Sequence, residues 1–180
     1  MYDDNILEEA LEYANEEFKI LKGLKINLDD LVFEERCALN CFYCGRYGKN
    51  WRCPPKIPKI DHKKLFSEFD NGALVYVEIP FNESTYDTVR NDSSNILHRG
   101  MLRMEKYMWN HNNSTYLSFI AGACKLCKNG CGEHECNNPY LSRSPVEALG
   151  INIIKTAAKY NFDISFPPKT HLIRCGLLVW

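Results

Sequence analysis

The chain has 180 residues, of which 45% are hydrophobic and 25% charged, and its formal net charge is −1 at pH 7. This balance is that of a globular domain with its own core, and it gives no support to nucleic acid as a partner. The acidic start lacks the apolar stretch of a secretory signal, and no apolar run approaches the ~20 residues that cross a bilayer. We therefore expect one domain over residues 1–180, in the cytoplasm, with no membrane partner.

The first half of the chain alternates between regular elements and a cysteine-rich loop. Apolar periodicity predicts a helix over residues 5–21 that stops near Gly23. A short strand is expected over residues 31–35. Residues 37–60 combine cysteines with prolines and glycines, which is typical of a loop that wraps around a ligand. A short helix over residues 61–69 should follow.

A buried strand is predicted over residues 73–79. The next elements are a helix over residues 94–110, with a methionine stripe that faces the core, and a strand over residues 115–120. A second loop, rich in cysteine and glycine, is expected over residues 122–143. A last strand covers residues 171–179.

A helix start is predicted between the second loop and the last strand. Ser144 fits the N-cap, Pro145 the first helical position, and Glu147 the return contact of a capping box. Together the elements predict an α+β domain with a sheet of about four strands. Both cysteine loops are expected to leave the ends of strands.

Cysteine is the unusual residue type, because nine are present and eight fall in the two loops. A reducing cytosol disfavours structural disulfides, so clustered cysteines there indicate metal or redox chemistry; disulfides are the alternative in another compartment. The first group is Cys37, Cys41, Cys44 and Cys53. Thiolates select zinc, copper(I) or iron–sulfur clusters. Structural zinc sites usually pair two Cys-x2-Cys knuckles, and this group has one, which favours a cluster and leaves zinc as the alternative.

Three cysteines of this group resemble the signature of radical SAM enzymes, in which one iron stays open for S-adenosylmethionine. They are Cys37, Cys41 and Cys44, with an aromatic residue before the last. A radical SAM core needs about six βα units of ~30 residues each, and too few residues follow Cys44 for that. Cys53 also offers a fourth ligand, so a closed cluster is the leading interpretation.

The second group resembles a stretched bacterial ferredoxin run, Cys-x2-Cys-x2-Cys-x3-Cys-Pro. Its members are Cys124, Cys127, Cys131 and Cys136. His134 is an alternative ligand or a solvent-facing loop residue. In two-cluster ferredoxins the fourth cysteine of a run serves the other cluster, so grouping by sequence is a default. The ninth cysteine, Cys175, is expected to be a buried structural thiol, with an extra ligand or resolving thiol as the alternative.

Charged and aromatic residues in and after the loops have two interpretations. They are Arg46, Tyr47, Lys49 and Arg143. Cations near a cluster stabilise its reduced form and can dock a partner or substrate, whereas solvated loop side chains have neither role. The sequence contains no phosphate-binding loop, Ser-His-Asp triad or zinc-protease motif.

Two strings of residues resemble one known family. The first runs from Cys41 through Tyr47 and Gly48 to Cys53, Pro54 and Pro55, and the second from Ala121 to Cys127 and on through Cys136, Pro139, Glu147, Ala148, Gly150 and Ile151. Together they resemble the DUF2284 family of predicted metal-binding proteins, over nearly the whole chain. The resemblance implies a small prokaryotic protein that holds iron–sulfur clusters, and it implies no particular reaction.

The leading hypothesis is a cytosolic protein with two [4Fe–4S] clusters that exchanges single electrons with a redox partner protein. Backbone N–H groups near Gly45, Gly48, Gly130 and Gly132 would set the cluster potentials. One alternative is an enzyme whose first cluster keeps an open iron for a small substrate. The other is an interaction module stabilised by zinc.

Overall fold

The computed structural model describes residues 5–180, which form a single α+β domain around one antiparallel sheet of four strands. The strands are β1 (Lys22–Ile26), β2 (Gly72–Pro80), β3 (Leu117–Phe119) and β4 (His171–Val179). Their order in the sheet is β1-β2-β4-β3, so that the two long strands lie in the centre. The predicted fold class is confirmed.

Residues 5–180 contain five α-helices and two short 3₁₀ turns. The helices are α1 (Ile6–Phe18), α2 (Glu35–Tyr43), α3 (His62–Phe66), α4 (Tyr86–Asn110) and α5 (Ile153–Ala158). The 3₁₀ turns are Leu28–Asp30 and Val146–Leu149. None of these helices is both long enough and apolar enough to cross a membrane.

Period-2 alternation along the central strands divides the core into two clusters, one on each face of the sheet. Val75 of β2 lies in the first cluster with α1 and α4, and Leu74 lies in the second with the 3₁₀ turn at 146–149. The methionine stripe of α4 is fully buried in the first cluster, as predicted. Cys175 is buried in the second cluster, so its predicted burial is confirmed.

The strand predicted over residues 31–35 is wrong. Phe33 forms only an isolated bridge with Ile151, and α2 begins at Glu35. Charged residues and good helix formers follow directly, and they favour a helical turn over an extended chain. The first cysteine loop was predicted to begin at residue 37; instead its first two cysteines lie within α2, and the loop begins only after residue 43.

The strand missing from the prediction is β1, where Leu24 and Ile26 alternate with Gly23 and Lys25. Gly23 lies inside this strand and does not end α1. The helix ends at Lys19, which adopts the left-handed conformation with φ of 62°. A non-glycine residue in that conformation gives little signal in a sequence.

Two predicted boundaries around the second cysteine loop are also wrong. Helix α4 begins at Tyr86, eight residues before the predicted start at 94, because its first turns are polar and carry no apolar period. Ser144 does not cap a helix: the 3₁₀ turn follows Pro145 and has no side-chain cap. The loop over residues 122–143 is confirmed and follows β3, whereas the first loop follows a helix.

Candidate metal centre

Helix α2 positions three cysteines of the first group along one line. Cys37 and Cys41 are one turn apart, and Cys44 caps the helix about one turn later. The helix packs against the 3₁₀ turn at 146–149. Its N-terminal end is held by Glu34, which accepts hydrogen bonds from Lys155 and other neighbours. The hydrogen bond from Lys155 is the main cause that lowers the pKa of the Glu34 carboxyl to about 2.

Cys53 completes the first group from another segment. It is the most buried of the eight cysteines, with 6% of its surface exposed, whereas Cys44 is exposed. Its thiol pKa is raised to about 12, first by burial. The thiols whose charges add to this shift are Cys41, Cys44 and Cys124. Cys53 therefore lies near Cys41 and Cys44 of its own group and near Cys124, the first cysteine of the other group.

In the second group, Cys124 lies close to Cys127 and Cys131. Burial raises the pKa of the Cys124 thiol, and hydrogen bonds from the backbone N–H groups of Leu126 and Arg143 oppose that shift. Donors therefore already point at this sulfur, as they do at cluster ligands. Cys127 accepts a further hydrogen bond of 3.2 Å from Asn138 Nδ2.

Cys136, the last member of the group, lies at the end of the loop. Its sulfur is 3.4 Å from the hydroxyl of Ser142, which is buried. His134 is exposed. The position of Cys136 is thus fixed through Ser142, which also accepts a hydrogen bond from Arg52 of the first loop.

The two cysteine loops bind each other through three consecutive residues. Asn50 Nδ2 donates to the carbonyl of Cys124 at 3.0 Å, and Trp51 Nε1 donates to the carbonyl of Gly132 at 2.8 Å. Arg52 continues the series, with hydrogen bonds of 2.6 Å from Nε to Ser142 Oγ and from Nη2 to the carbonyl of residue 139. Because Cys53 follows directly, these contacts bring the first group against the second.

We expect Arg52→Ala to destabilise the second cysteine loop although Arg52 belongs to the first. The variant removes two hydrogen bonds from a charged donor, which should lower the free energy of unfolding by about 2–4 kcal/mol. Urea denaturation of the full chain measures this change. Lys49→Ala removes an exposed cation from the same loop and should change stability by less than about 0.5 kcal/mol. Equal effects of the two variants would contradict the role of Arg52.

Glu147 lies between the two cysteine groups and the sheet. Its carboxylate accepts a hydrogen bond of 3.3 Å from the backbone N–H of Gly122, at the start of the second loop. Burial raises the pKa of this carboxyl. Its charge in turn raises the pKa values of three first-group thiols and that of Cys175. The predicted capping role is therefore replaced by a contact that joins the 3₁₀ turn to the second loop.

Two residues of α4 hold the end of the second loop. His98 Nε2 lies 2.9 Å from the carbonyl of Leu141 and donates to it. Glu105, which is 4% exposed, forms a bidentate ion pair with Arg143 and also accepts from Ser118. Arg143 was predicted to tune a cluster or dock a partner, or to be a solvated loop charge. Its side chain instead fixes the loop to the core.

The donor chemistry of the two groups fits a metal–thiolate centre. All nine cysteines are free thiols, and burial raises the pKa values of Cys41 and Cys53 in the first group, which favours their neutral form until a cation displaces the protons. Gly45 and Gly48, in the loop between Cys44 and Cys53, have positive φ values of 73° and 70°, a conformation that glycine adopts without strain, and a Cβ added to either would meet open space. Within residues 5–180, no three His, Cys, Asp or Glu side chains are arranged to hold a single metal ion.

A family model described as "Predicted metal-binding protein (DUF2284)" matches residues 24–179. The chain belongs to the DUF2284 family. No curated protein and no solved structure matches it. The matched range contains both cysteine groups and all four strands apart from the first residues of β1, so the family description applies to the whole arrangement.

Several residues that organise this DUF2284 centre were not predicted. They are Asn50, Trp51, Arg52, His98 and Glu105. The run at 50–52 carries one signal, because the tryptophan in this polar loop, two residues before Cys53, needs a partner for its N–H. The other two, His98 and Glu105, belong to α4, outside both cysteine loops, and carry no local signal.

Proposed function

We propose that this DUF2284 protein holds two [4Fe–4S] clusters in the cytosol and exchanges single electrons with a redox partner protein. The first cluster would be held by Cys37, Cys41, Cys44 and Cys53, and the second by Cys124, Cys127, Cys131 and Cys136. Bound clusters would supply reversible one-electron chemistry. The protein would contribute thiolates, N–H donors and partial exclusion of water.

The observation that carries the proposal is the contact between the two cysteine loops. Hydrogen bonds at residues 50–52 bring a buried Cys53 next to Cys124 of the other group. A structural metal site needs only one such group. Two adjacent groups of four soft ligands are the arrangement that an electron carrier with two centres requires.

An exposed apolar patch beside the first group supports a partner protein. Its members are Leu39, Phe42, Tyr43 and Tyr47. The rings of Phe42 and Tyr47 pack edge to face with their centroids 4.9 Å apart. Exposed aromatic clusters of this kind are enriched at protein interfaces, and this one lies on helix α2, which carries Cys37 and Cys41, and on the loop that follows it.

Metal and acid-labile sulfide analysis of the anaerobically purified full chain tests the proposal. We expect a brown protein with about eight irons and about eight sulfides per chain, reducible by about one electron per cluster. Cys127→Ser should lower the iron content, whereas Cys175→Ala, outside both groups, should leave it unchanged. A colourless protein that contains only zinc would sink the proposal in favour of the zinc-stabilised module.

One observation favours a second function, an enzyme with an open iron in the first cluster. Three of its cysteines come from a single helix, whereas the fourth, Cys53, comes from a separate loop segment. A cleft lies between residues 27–33 and 61–70, the segments that flank this part of the chain, but no cysteine lines it. The role of Cys53 therefore separates the two functions.

A further inference from the structure

The cleft between residues 27–33 and 61–70 has a volume of about 810 Å³. This volume falls in the range of ~300–1,000 Å³ that is usual for small-molecule sites. The first segment lies just before α2, and the second follows the first cysteine loop. No cysteine lines the cleft, so it is a separate feature from the candidate metal centre.

Phenylalanine side chains form the aromatic part of the cleft. Phe66 of α3 is 2% exposed, and Phe33 and Phe69 are partly buried beside it in the same core cluster. The ring of Phe66 packs against that of Phe33, with centroids 6.0 Å apart, and against that of Phe119 in β3, with centroids 5.4 Å apart. The aromatic surface is therefore anchored to the sheet, and it suits the ring of a ligand, since aromatic rings pack favourably on one another.

Several polar groups of the cleft have partners within the chain. Asp61 Oδ1 accepts a hydrogen bond of 3.0 Å from the backbone N–H of Lys64, and Asn27 Oδ1 accepts one of 3.0 Å from the backbone N–H of Asp29. The hydroxyl of Ser67 donates to the carbonyl of Lys64 at 2.8 Å. These contacts fix the backbone on both sides of the cleft.

Four other charged side chains line the cleft without such partners. They are Asp29 and Asp70, which we call the carboxylate pair, and Lys63 and Lys64, which we call the lysine pair. All four residues are exposed. Within residues 5–180, none of their carboxylates or ammonium groups forms an ion pair, not even with one another. The cleft thus offers both signs of charge at separate positions beside an aromatic surface.

We propose that this cleft binds a small zwitterionic molecule with an aromatic ring, which is the chemistry of an aromatic amino acid. The ring would lie against the phenylalanines, the ammonium group beside the carboxylate pair, and the carboxylate beside the lysine pair. A few charged groups around an apolar surface are what orients a ligand in a pocket, and a ligand with a single charge would leave one pair unused. The site goes beyond the proposed metal binding and does not depend on it, because no candidate metal ligand lines the cleft.

Isothermal titration calorimetry on the full chain tests this site with three probes at constant ionic strength. L-Phenylalanine carries both charges, phenethylamine only the positive one and 3-phenylpropionate only the negative one. We expect saturable binding of one equivalent of L-phenylalanine. Each analogue should bind about two- to fivefold more weakly, because an ion pair at an exposed site contributes little.

Two double variants assign the two charges of the ligand. Asp29→Asn with Asp70→Asn should weaken L-phenylalanine and phenethylamine about two- to fivefold, and should leave 3-phenylpropionate as tight as before or tighter. Lys63→Gln with Lys64→Gln should weaken L-phenylalanine and 3-phenylpropionate and spare phenethylamine. All four side chains are exposed, so both variants should fold, which circular dichroism checks.

Matched variants of the same segment serve as controls. Glu68→Gln and Lys59→Gln each remove an exposed charge that lies outside the lining of the cleft. Both should keep the wild-type affinity for all three probes. Phe69→Leu keeps an apolar side chain but removes the ring, so it should weaken all three probes to a similar extent.

Any of three results would overturn the site. The first is the absence of saturable binding of L-phenylalanine up to about 10 mM. The second is an analogue with one charge that binds as tightly as L-phenylalanine, and the third is a loss in the control variants equal to that in the double variants. Metal content is measured in the same samples, so failure of the metal proposal and failure of the cleft site are read independently.

Discussion

Replacement of Cys53 by alanine is expected to halve the iron content of the anaerobically prepared protein, from about eight to about four irons per chain. Cys53 is buried and close to Cys41 and Cys44, so its thiolate is the group that would close the first cluster. Without it, one iron would lose its protein ligand in a partly hydrophobic site, and the cluster would be lost. Iron, sulfide and electron paramagnetic resonance measurements on the variant give the result.

Cys175→Ala is the matched control, because it removes a second buried thiol that lies outside both groups. It should retain about eight irons. If Cys53→Ala also retains eight and its spectrum changes, the first cluster has an open iron and the enzyme hypothesis replaces the carrier. If Cys53→Ala loses nearly all iron, the cysteine supports both groups, and the assignment of four ligands to each is wrong.

Replacement of Glu105 by alanine is expected to lower the free energy of unfolding by about 3–5 kcal/mol. Glu105 is buried on α4, where its carboxylate pairs with Arg143 and accepts from Ser118. The variant would leave a half-buried guanidinium without its counter-charge, which costs more than an intact pair contributes. The backbone N–H of Arg143 donates to Cys124, so we also expect weaker metal retention by the second group. Urea denaturation and metal analysis measure the two effects.

Glu16→Ala provides the comparison on the surface. Glu16 pairs with Arg103, but its side chain is largely exposed, so the loss should be about 0–1 kcal/mol. Glu105→Gln keeps the shape and one acceptor, and it should fall between the two alanine variants. A Glu105→Ala protein as stable as Glu16→Ala would show that Arg143 finds another partner and that the loop does not depend on α4.

Several elements could be predicted because their signals are local. The strand at β2 and the methionine face of α4 follow from runs of apolar residues with a clear period. The start of α4 could not be predicted, since its first turns are polar. Helix α2 could not be predicted either, because its cysteines and the prolines that follow them resemble a loop. In α2 the helical period is nevertheless present in the spacing of Cys37, Cys41 and Cys44, which only the structure made visible.

The sequence by itself determined that this protein has two groups of four cysteines, an α+β fold and membership of the DUF2284 family, because composition, periodicity and motif spacing can be read along the chain. The tertiary structure alone decided that the groups lie side by side, through the contacts of residues 50–52. It also placed Glu105 under the second loop. These contacts join residues that are up to 90 positions apart in the chain, from Arg52 to Ser142, and no local pattern specifies which distant side chains will meet.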